Sequence, residues 1–402
     1  MLKDIINHKK WSASMSALVN QFIEHGGQTI AELSKNLGVS VPYTTKTLNE
    51  LIEIGLVQTT GKRDNYSKRA PKIYDLIATS GYFLGIDTGK DNLTFGICDF
   101  CGNMIADPVK IDFDYKDSLE CFETFIKSIN SFVEKSGIDK SQIKNACMSI
   151  GGRVNPEIGC AYNYFSCLGK PLAEVMSEKL GLPFCIDNDT RCMTYGESLK
   201  GVCKGIKNVI FVNVSWGIGI GIIIDGKLYY GKSGYSGEFG HMTAYNNNII
   251  CHCGKIGCIE TEVSGRALKR KLIEKIKEGK TSILSERVLK KNEDLSLQDI
   301  LDAIAKEDVL SLATLQRIAD ELGKQLAGVI NIFNPEMLVI GGEMSVTGDY
   351  LTLPVKMGIK KFSLNIMNED SKIVTSSLKG LAGITGACLM ARYRLLNENI
   401  DK

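Results

Sequence analysis

The sequence lacks a long hydrophobic run, a secretory leader and a dominant charge. No apolar segment approaches the length of a membrane span, and no positively charged and apolar leader opens the chain. Basic residues number 48 and acidic residues 46, and the resulting net charge of +2 favours no charged partner by itself. We therefore expect a cytoplasmic protein with no membrane partner.

Disulfide bonds are also not expected, although the chain has 13 cysteines. The number is odd and the expected compartment is reducing, so most of these thiols should be reduced and buried. A chain of 402 residues, 44% of them hydrophobic, is long enough to form two or three ordinary domains.

Four potential metal ligands are concentrated in GEFGHMTAYNNNIICHCGKIGCIETE, residues 237–262. They are His241, Cys251, Cys253 and Cys258. One imidazole and three thiolates make a closed tetrahedral zinc site, which is typical of a structural metal. The alternative is a surface histidine near unrelated reduced cysteines, but the spacing CxCxxxxC with internal glycines favours a tight turn around a metal.

Two carboxylates flank the predicted zinc ligands. Glu238 lies three residues before His241, and Glu260 lies two residues after Cys258. Carboxylates beside a closed metal site suit a polyol, because charged acceptors form strong hydrogen bonds with hydroxyl donors. His241 can bind zinc through one ring nitrogen and a neighbouring group through the other, so it can serve both sites.

The first eighty residues are predicted to form three short helices. Apolar spacing predicts the first over 11–23, and Thr29 with Glu32 gives a capping-box pattern at the start of the second. The third is capped by Ser40 and carries Pro42 in its first turn, where its missing N–H is tolerated. Helix, glycine turn and helix are typical of a helix-turn-helix, whose second helix enters the DNA major groove.

A basic hairpin follows the third helix, and it favours DNA over the alternative of a small protein-interaction module. Clustered cations are what neutralising phosphates requires. On the third helix, Leu48, Leu51 and Ile52 are expected to face inward and the polar residues outward. The candidate DNA-binding residues are Pro42, Tyr43, Thr44, Lys46 and Thr47 on the helix and Lys62, Arg63, Lys68 and Arg69 on the hairpin.

From residue 82 onward the pattern changes to alternating strands and helices. Strands at 82–87 and 93–99 form a predicted antiparallel hairpin, followed by a helix and a strand at 145–150. A second meander begins at residue 208, and a further strand follows at 337–342. Two similar halves predict a two-lobed α/β protein that binds its ligand in the cleft between the lobes.

Four motifs make the chain resemble the ROK family of sugar kinases and sugar-responsive repressors. They are GIDTG at 85–89, DNDTR at 187–191, GEFGH with CHCGKIGCIE within 237–260, and NIFNPEMLVIGGE at 331–343. The resemblance implies an α/β fold in which residues 80–402 form a two-lobed, actin-like sugar-binding domain with structural zinc. An all-α winged helix-turn-helix is expected at 1–79, before this domain. With this combination of domains the chain resembles the repressor branch.

The resemblance also implies a set of sugar-binding residues. Asn188 and Asp189 would bind sugar hydroxyls, with Asp189 in the place of the kinase general base, and Glu238, His241 and Glu260 would complete the set. A base must be a carboxylate within reach of the hydroxyl that it activates, which Asp189 satisfies chemically. The alternative for Asp189 is an ordinary helix N-cap.

The nucleotide side departs from the kinase pattern in two loops. The family's kinases carry Asp-x-Gly-Gly-Thr in the first loop, but in this chain the loop begins at Asp87 and has Lys90 and Asp91 in place of the second Gly and the Thr. The lysine side chain limits the approach of the backbone to a phosphate, and the carboxylate repels one. Where kinases carry Gly-Thr-Gly, this chain has Ser215, Trp216 and Gly217. We therefore expect the protein not to be an enzyme.

The repressor interpretation implies operator DNA and a monosaccharide or sugar-phosphate effector as partners, with structural Zn²⁺ as cofactor. Two helix-turn-helix units reading two half-sites require a homodimer or homotetramer. The alternative is a zinc-containing, ATP-dependent sugar kinase with an accessory N-terminal module. The altered loops and the basic hairpin favour the repressor.

Overall fold

The computed structural model describes residues 11–62 and 70–397 of the chain. The chain divides into two compact units. One comprises the residues up to 199 together with those from 383 onward, and the other comprises residues 200–382. Among the described residues, no helix combines the length and the apolar character needed to cross a membrane.

Three helices and a two-stranded hairpin begin the first unit. They are α1 (Ala13–His25), α2 (Ile30–Leu37), α3 (Val41–Glu53), β1 (Val57–Lys62) and β2 (Lys72–Leu76). The predicted capping box is confirmed, because the Thr29 hydroxyl accepts the Glu32 N–H and the Glu32 carboxylate accepts the Thr29 N–H. A left-handed Gly38, with φ of 66°, ends α2. These local signals set the angle at which α3 follows α2.

The strands β1 and β2 pair antiparallel, as the predicted hairpin requires. Of its candidate DNA-binding cations, Arg63, Lys68 and Arg69 lie outside the described residues. A short 3₁₀ turn, Ala78–Ser80, leads from the hairpin into the next strand. The domain boundary at residues 79 and 80 stays a prediction.

The sheet of the first unit has the strand order β5-β4-β3-β6-β9. Antiparallel pairing joins β3, β4 and β5, whereas β3, β6 and β9 run parallel. The sheet strands are β3 (Tyr82–Thr88), β4 (Asn92–Asp99), β5 (Val109–Asp112), β6 (Ile143–Ile150) and β9 (Phe184–Asn188), with a small hairpin of β7 (Val154–Asn155) and β8 (Cys160–Ala161). The helices of this part are α4 (Leu119–Lys135), α5 (Leu172–Leu180) and α6 (Asp189–Lys200).

The second unit repeats this topology, with strand order β12-β11-β10-β13-β14. Its first three strands are antiparallel neighbours and its last two are parallel to β10. The strands are β10 (Val209–Val214), β11 (Ile218–Ile224), β12 (Lys227–Leu228), β13 (Met337–Gly341) and β14 (Lys372–Thr375). The two similar halves predicted from the strand pattern are present.

Helices supply most of the second unit's remaining core. They are α7 (Glu260–Val263), α8 (Gly265–Lys277), α9 (Ser285–Leu289), α10 (Leu297–Ala305), α11 (Val309–Phe333), α12 (Asp349–Phe362) and α13 (Asn365–Asp370). Apolar residues of α8, α10 and α11 pack with those of β10, β11 and β13 in one buried cluster. Because the strands are buried, they read as continuous apolar runs rather than as alternating patterns.

The last helix, α14 (Ala382–Asn397), returns the chain to the first unit. The Asn145 side-chain amide donates to the carbonyl of Ala391 at 2.8 Å. Buried Arg392 donates to the carbonyl of Phe100 at 2.9 Å. The C-terminal half of α14 therefore packs against the first unit, at β6 and just after β4.

Candidate functional site

The four predicted metal ligands come together. The Nδ1 atom of His241 lies 3.6 Å from the Sγ atom of Cys251, and the Sγ atoms of Cys253 and Cys258 lie 3.7 Å apart. All four ligand atoms lie within 4.8 Å of one another. A tetrahedral zinc ion with ordinary bond lengths sets nitrogen–sulfur edges of about 3.6 Å and sulfur–sulfur edges of about 3.8 Å. The residues fit a structural zinc ion.

Glycines allow the segment that carries His241 to approach β11. A Cβ atom on Gly237 would lie 2.0 Å from the carbonyl oxygen of Ile220, and one on Gly240 would lie 2.4 Å from that of Ile218. Any side chain at either position would push the segment away from the strand. The 3₁₀ turn Phe239–His241 therefore fixes where the imidazole stands.

The thiols must lose their protons before the cluster can hold a metal cation. Burial and then a hydrogen bond with Cys253 raise the pKa of Cys258 to about 12. Burial likewise raises the pKa of Cys251. Closely packed thiols resist ionising together unless a cation compensates their charge, and a coordinated zinc ion holds such thiols as thiolates.

Glu238 and Glu260 both flank this cluster, in different surroundings. Glu238 is partly exposed, and its carboxylate lies 3.6 Å from the Nε2 atom of His241. The ring of His241 can therefore face a metal with Nδ1 and a carboxylate with Nε2, as predicted for a shared residue. Glu260 is only 6% exposed at its side chain, so its charge needs fixed partners.

Those partners are a backbone amide and a histidine to which the sequence analysis gave no role. The N–H of Ile218 donates to Oε2 of Glu260 at 3.3 Å, and Nδ1 of His252 lies 2.7 Å from Oε1. Burial acts to raise the pKa of Glu260, but His252, the Ile218 N–H and His241 together outweigh it and lower that pKa. The sequence signal for His252 was its place between two zinc ligands.

In the first unit, Asn188 and Asp189 lie where β9 ends and α6 begins. The Asn188 side chain caps the helix, because its oxygen accepts the Arg191 N–H, and its amide donates to the carbonyl of Gly152 at 3.0 Å. Asp189 is the first helical residue and its carboxylate accepts the N–H of Thr190 at 2.7 Å. Both side chains are half-buried. The capping role expected as the alternative for Asp189 is thus filled by Asn188.

The two loops expected to depart from the kinase pattern, residues 87–91 and 215–217, carry charged and aromatic side chains. In the first loop, the Lys90 ammonium lies 3.8 Å from the Asp91 carboxylate. In the second, the Trp216 indole packs against the second unit's core, with the Arg266 guanidinium 5.7 Å and the Lys269 ammonium 5.5 Å from its ring centre. Cations over an aromatic face are attracted to it, so the indole is held at this place.

Some of the predicted DNA-binding residues on helix α3 and on the hairpin are exposed to solvent. Pro42, Tyr43 and Lys46 are exposed, and so is Lys62 at the end of β1. The Tyr43 hydroxyl is hydrogen-bonded to the hydroxyl of Ser14 on α1. These residues are therefore accessible from solvent.

The outward orientation predicted for Thr44 and Thr47 is wrong. Their exposed fractions are 0% and 4%. They share the buried stripe of α3 with Leu48 and Leu51, at the spacing of one helical face. The Thr44 hydroxyl donates to the carbonyl of Ser40 at 3.1 Å, so burial leaves it satisfied. Ile52, expected inside, is 38% exposed.

The ROK family model matches residues 83–394, which is most of the chain. The chain belongs to the ROK family. All four motifs from which the resemblance was drawn lie within the matched residues. The predicted resemblance is confirmed.

Similar ROK proteins include repressors and kinases. A xylose repressor of Caldicellulosiruptor bescii is 27% identical over 377 residues, covering 91% of this chain and 92% of the repressor. The crystal structure of a ROK family transcriptional regulator, a homolog of the E. coli MLC protein, has a TM-score of 0.78 and 27% identity, covering 95% of this chain and 96% of the regulator. These matches confirm the predicted α/β ROK fold.

A ROK family glucokinase from Streptomyces griseus, crystallised with glucose and AMPPNP, has a TM-score of 0.65 and 25% identity. It covers 78% of this chain and 100% of the kinase. The kinase therefore matches a smaller share of this ROK chain than the regulator does.

Proposed function

We propose that the protein is a sugar-responsive transcriptional repressor that binds operator DNA. The observation that carries this proposal is a set of three helices and a β-hairpin joined to a ROK domain in one chain. It is supported by a named repressor and a solved regulator that match the chain over 91% and 95% of its length.

DNA is bound, in this proposal, by α3 and the hairpin. Pro42, Tyr43 and Lys46 are available for the major groove, and Lys62 for phosphates. Thr44 and Thr47 instead hold α3 against the other helices. Arg63, Lys68 and Arg69, which lie outside the described residues, are proposed to contact phosphates as well.

The effector is a monosaccharide or a sugar phosphate. Its hydroxyls would be bound by Asn188 and Asp189 in the first unit, and by Glu238, His241 and Glu260 in the second. These residues offer charged acceptors, which are strong partners of hydroxyl donors. One relative is named a xylose repressor and one similar structure contains glucose, which supports a pentose or hexose.

One structural zinc ion per chain is held by His241, Cys251, Cys253 and Cys258. The nitrogen–sulfur and sulfur–sulfur distances of 3.6 and 3.7 Å support this ligand set. A closed set of this kind supplies stability to its loop and leaves no coordination position for catalysis.

We further propose that the protein does not phosphorylate its sugar. Phosphoryl transfer depends on positioning and neutralising the phosphates, and Trp216 with the Lys90 and Asp91 pair stands in the loops that would do so. The kinase alternative is tested by incubating the protein with ATP and D-xylose or D-glucose. Turnover at ordinary kinase rates of about 1–100 per second would contradict the proposal.

Contacts within the first unit support a connection between sugar-binding and DNA-binding residues. Asp187, which directly precedes Asn188 in the chain, is fully buried and pairs with Arg191 at 2.6 Å and with Arg394 at 3.3 Å. Arg394 belongs to the last turn of α14. A change at the end of β9 would therefore reach the end of this helix.

The start of α1 and the residue Trp11 just before it contact that same turn. The Trp11 indole N–H and the Ser16 hydroxyl both donate to the carbonyl of Leu396, at 3.0 and 2.9 Å. We propose that sugar binding shifts DNA affinity through these contacts, because an effector acts only by favouring one arrangement over another. A homodimer or homotetramer would place two such helices on two half-sites.

Paired substitutions test the division of roles. Asp189→Asn or Glu238→Gln should abolish sugar binding in calorimetry and leave DNA affinity unchanged, because neither residue lies in the DNA-binding helices. Lys62→Ala should weaken DNA binding and lower its salt dependence while sugar affinity stays at the wild-type value. If Asp189→Asn binds sugar as the wild type does, the proposed sugar site is wrong.

A further inference from the structure

His252 lies between the zinc ligands and Glu260 but belongs to neither proposed set. Its Nδ1 atom is 2.7 Å from Oε1 of Glu260 and 3.6 Å from Sγ of Cys251. Its ring meets that of His241 edge to face at a centroid distance of 5.2 Å. The shorter distance shows that the Nδ1–H hydrogen bond goes to the carboxylate.

With this bond, both oxygens of the Glu260 carboxylate are held. Oε2 receives the Ile218 N–H and Oε1 receives His252, and the side chain is almost fully buried. A carboxylate oxygen can accept two hydrogen bonds. Oε1 also lies 4.0 Å from Sγ of Cys251, but a thiolate that binds zinc has no proton to donate, so each oxygen then keeps a lone pair for a sugar hydroxyl. The backbone of β11 holds Oε2, and His252 therefore determines the orientation of Oε1.

The hydrogen bond between His252 and Glu260 argues against the alternative that His252 is an additional metal ligand. His241, His252 and Glu260 do lie within metal-binding reach of one another. However, His241 is also grouped with three cysteines whose spacing fits zinc, and thiolate-rich sets suit this metal. The imidazole Nδ1 already has a carboxylate partner at hydrogen-bond distance.

We propose that His252 is a positioning residue that orients the Glu260 carboxylate toward a sugar hydroxyl and thereby sets affinity and selectivity for the sugar. This inference rests on the proposed function and deepens its sugar site. A neutral imidazole with its proton on Nδ1 is sufficient, so the role depends on a donor at this point and not on a positive charge.

The test uses full-length, zinc-loaded protein with three variants. His252→Ala removes the donor, and His252→Asn places an amide N–H near the position of Nδ1. Lys255→Ala is the matched control, because Lys255 is an exposed residue of the same loop. Calorimetry with D-xylose, D-glucose and the 2-deoxy analogue of glucose measures affinity, and metal analysis measures zinc in each variant.

We expect His252→Ala to keep one zinc per chain and to lose roughly 10- to 100-fold in affinity for the best sugar, as for a lost hydrogen bond to a charged group. The preference among the three sugars should change, since one carboxylate oxygen is no longer aimed. His252→Asn should recover most of the affinity, and Lys255→Ala should bind as the wild type does. Recovery of sugar affinity in His252→Asn would show that the residue acts through its hydrogen bond to Glu260 and not only through packing.

Three outcomes would overturn the inference. Loss of zinc in His252→Ala would make the residue a metal ligand. Wild-type affinity and selectivity in that variant would show that Glu260 needs no such partner, while the proposed sugar sensing would stand. Absence of binding of any sugar by the wild-type protein would remove this role together with the proposed function.

Discussion

Removing both donors to the Leu396 carbonyl should weaken the hold of the DNA-binding helices on the rest of the first unit. The double variant Trp11→Phe with Ser16→Ala removes both donors, and the smaller phenyl ring adds a cavity cost that the single Trp11→Phe variant measures. The carbonyl lies in the last turn of α14, where a helix has no donors of its own to offer. Leu396 is 1% exposed, so water cannot easily replace the lost partners.

The expected cost follows from these contacts. A buried carbonyl left without a donor costs about 1–3 kcal/mol, whereas either single variant keeps one donor and should cost about 0.5–1.5 kcal/mol. For a unit of this size each kcal/mol lowers the unfolding midpoint by roughly 2–4 °C. The double variant should therefore melt a few degrees to about 12 °C below the wild type, and by more than either single variant.

The same variant should also lose its sugar response. Allosteric coupling of about 5- to 150-fold corresponds to 1–3 kcal/mol, which is what the two hydrogen bonds can supply. Thermal unfolding and fluorescence anisotropy on operator DNA, with and without sugar, measure both effects. A double variant with wild-type stability and a full sugar response would refute the proposed connection through α14.

Three further predictions address the metal, the DNA-binding face and the pH dependence of stability. Cys253→Ser should lose the zinc found by metal analysis and, with it, sugar binding, because the loop carrying Glu260 loses its brace; normal sugar binding without zinc would contradict this. Lys46→Ala should weaken DNA binding and reduce the slope of log affinity against log salt concentration by about 1. Thr47→Val, a substitution at the buried residue next to Lys46, should leave this slope unchanged; equal effects would contradict the assignment of exposed and buried faces of α3. The hydrogen bond from Arg287, opposed by burial and aided by Ser296, lowers the pKa of Asp299 to about 2. A carboxyl group whose pKa is lowered in the folded protein stabilises the fold at pH values above the usual carboxyl pKa of about 4, and this stabilisation is lost as the pH falls toward 2. Arg287→Gln should therefore lower the stability measured in urea more at pH 6 than at pH 2. An equal loss at both pH values would contradict the pairing.

Much of the fold follows from local sequence. The capping box of Thr29 and Glu32, the glycine after α2 and the apolar runs of the β-strands predict elements that the structure contains. The metal cluster was also predictable, because three of its four ligands lie within eight residues of one another and glycines shape the turn. In each case the determining interactions are close in the chain.

The errors and omissions have a different origin. Polarity suggested that Thr44 and Thr47 face outward, but position on the helix decides their burial and the hydroxyl of Thr44 finds a partner one turn back. The contacts between Trp11 and Leu396 join residues 385 positions apart. Likewise, the bond from His252 to Glu260 depends on how the loop folds back onto β11. No spacing rule predicts such pairs.

The most direct test of the repressor proposal is the affinity of the protein for its operator with and without sugar. The operator can be selected from random duplex DNA with the purified protein, and anisotropy titrations then compare affinity alone and with saturating D-xylose or D-glucose. We predict a change of about 5- to 150-fold for the sugar that binds, abolished in Asp189→Asn. If no DNA sequence is selected, or if a sugar that binds the protein leaves the operator affinity unchanged, the account is contradicted.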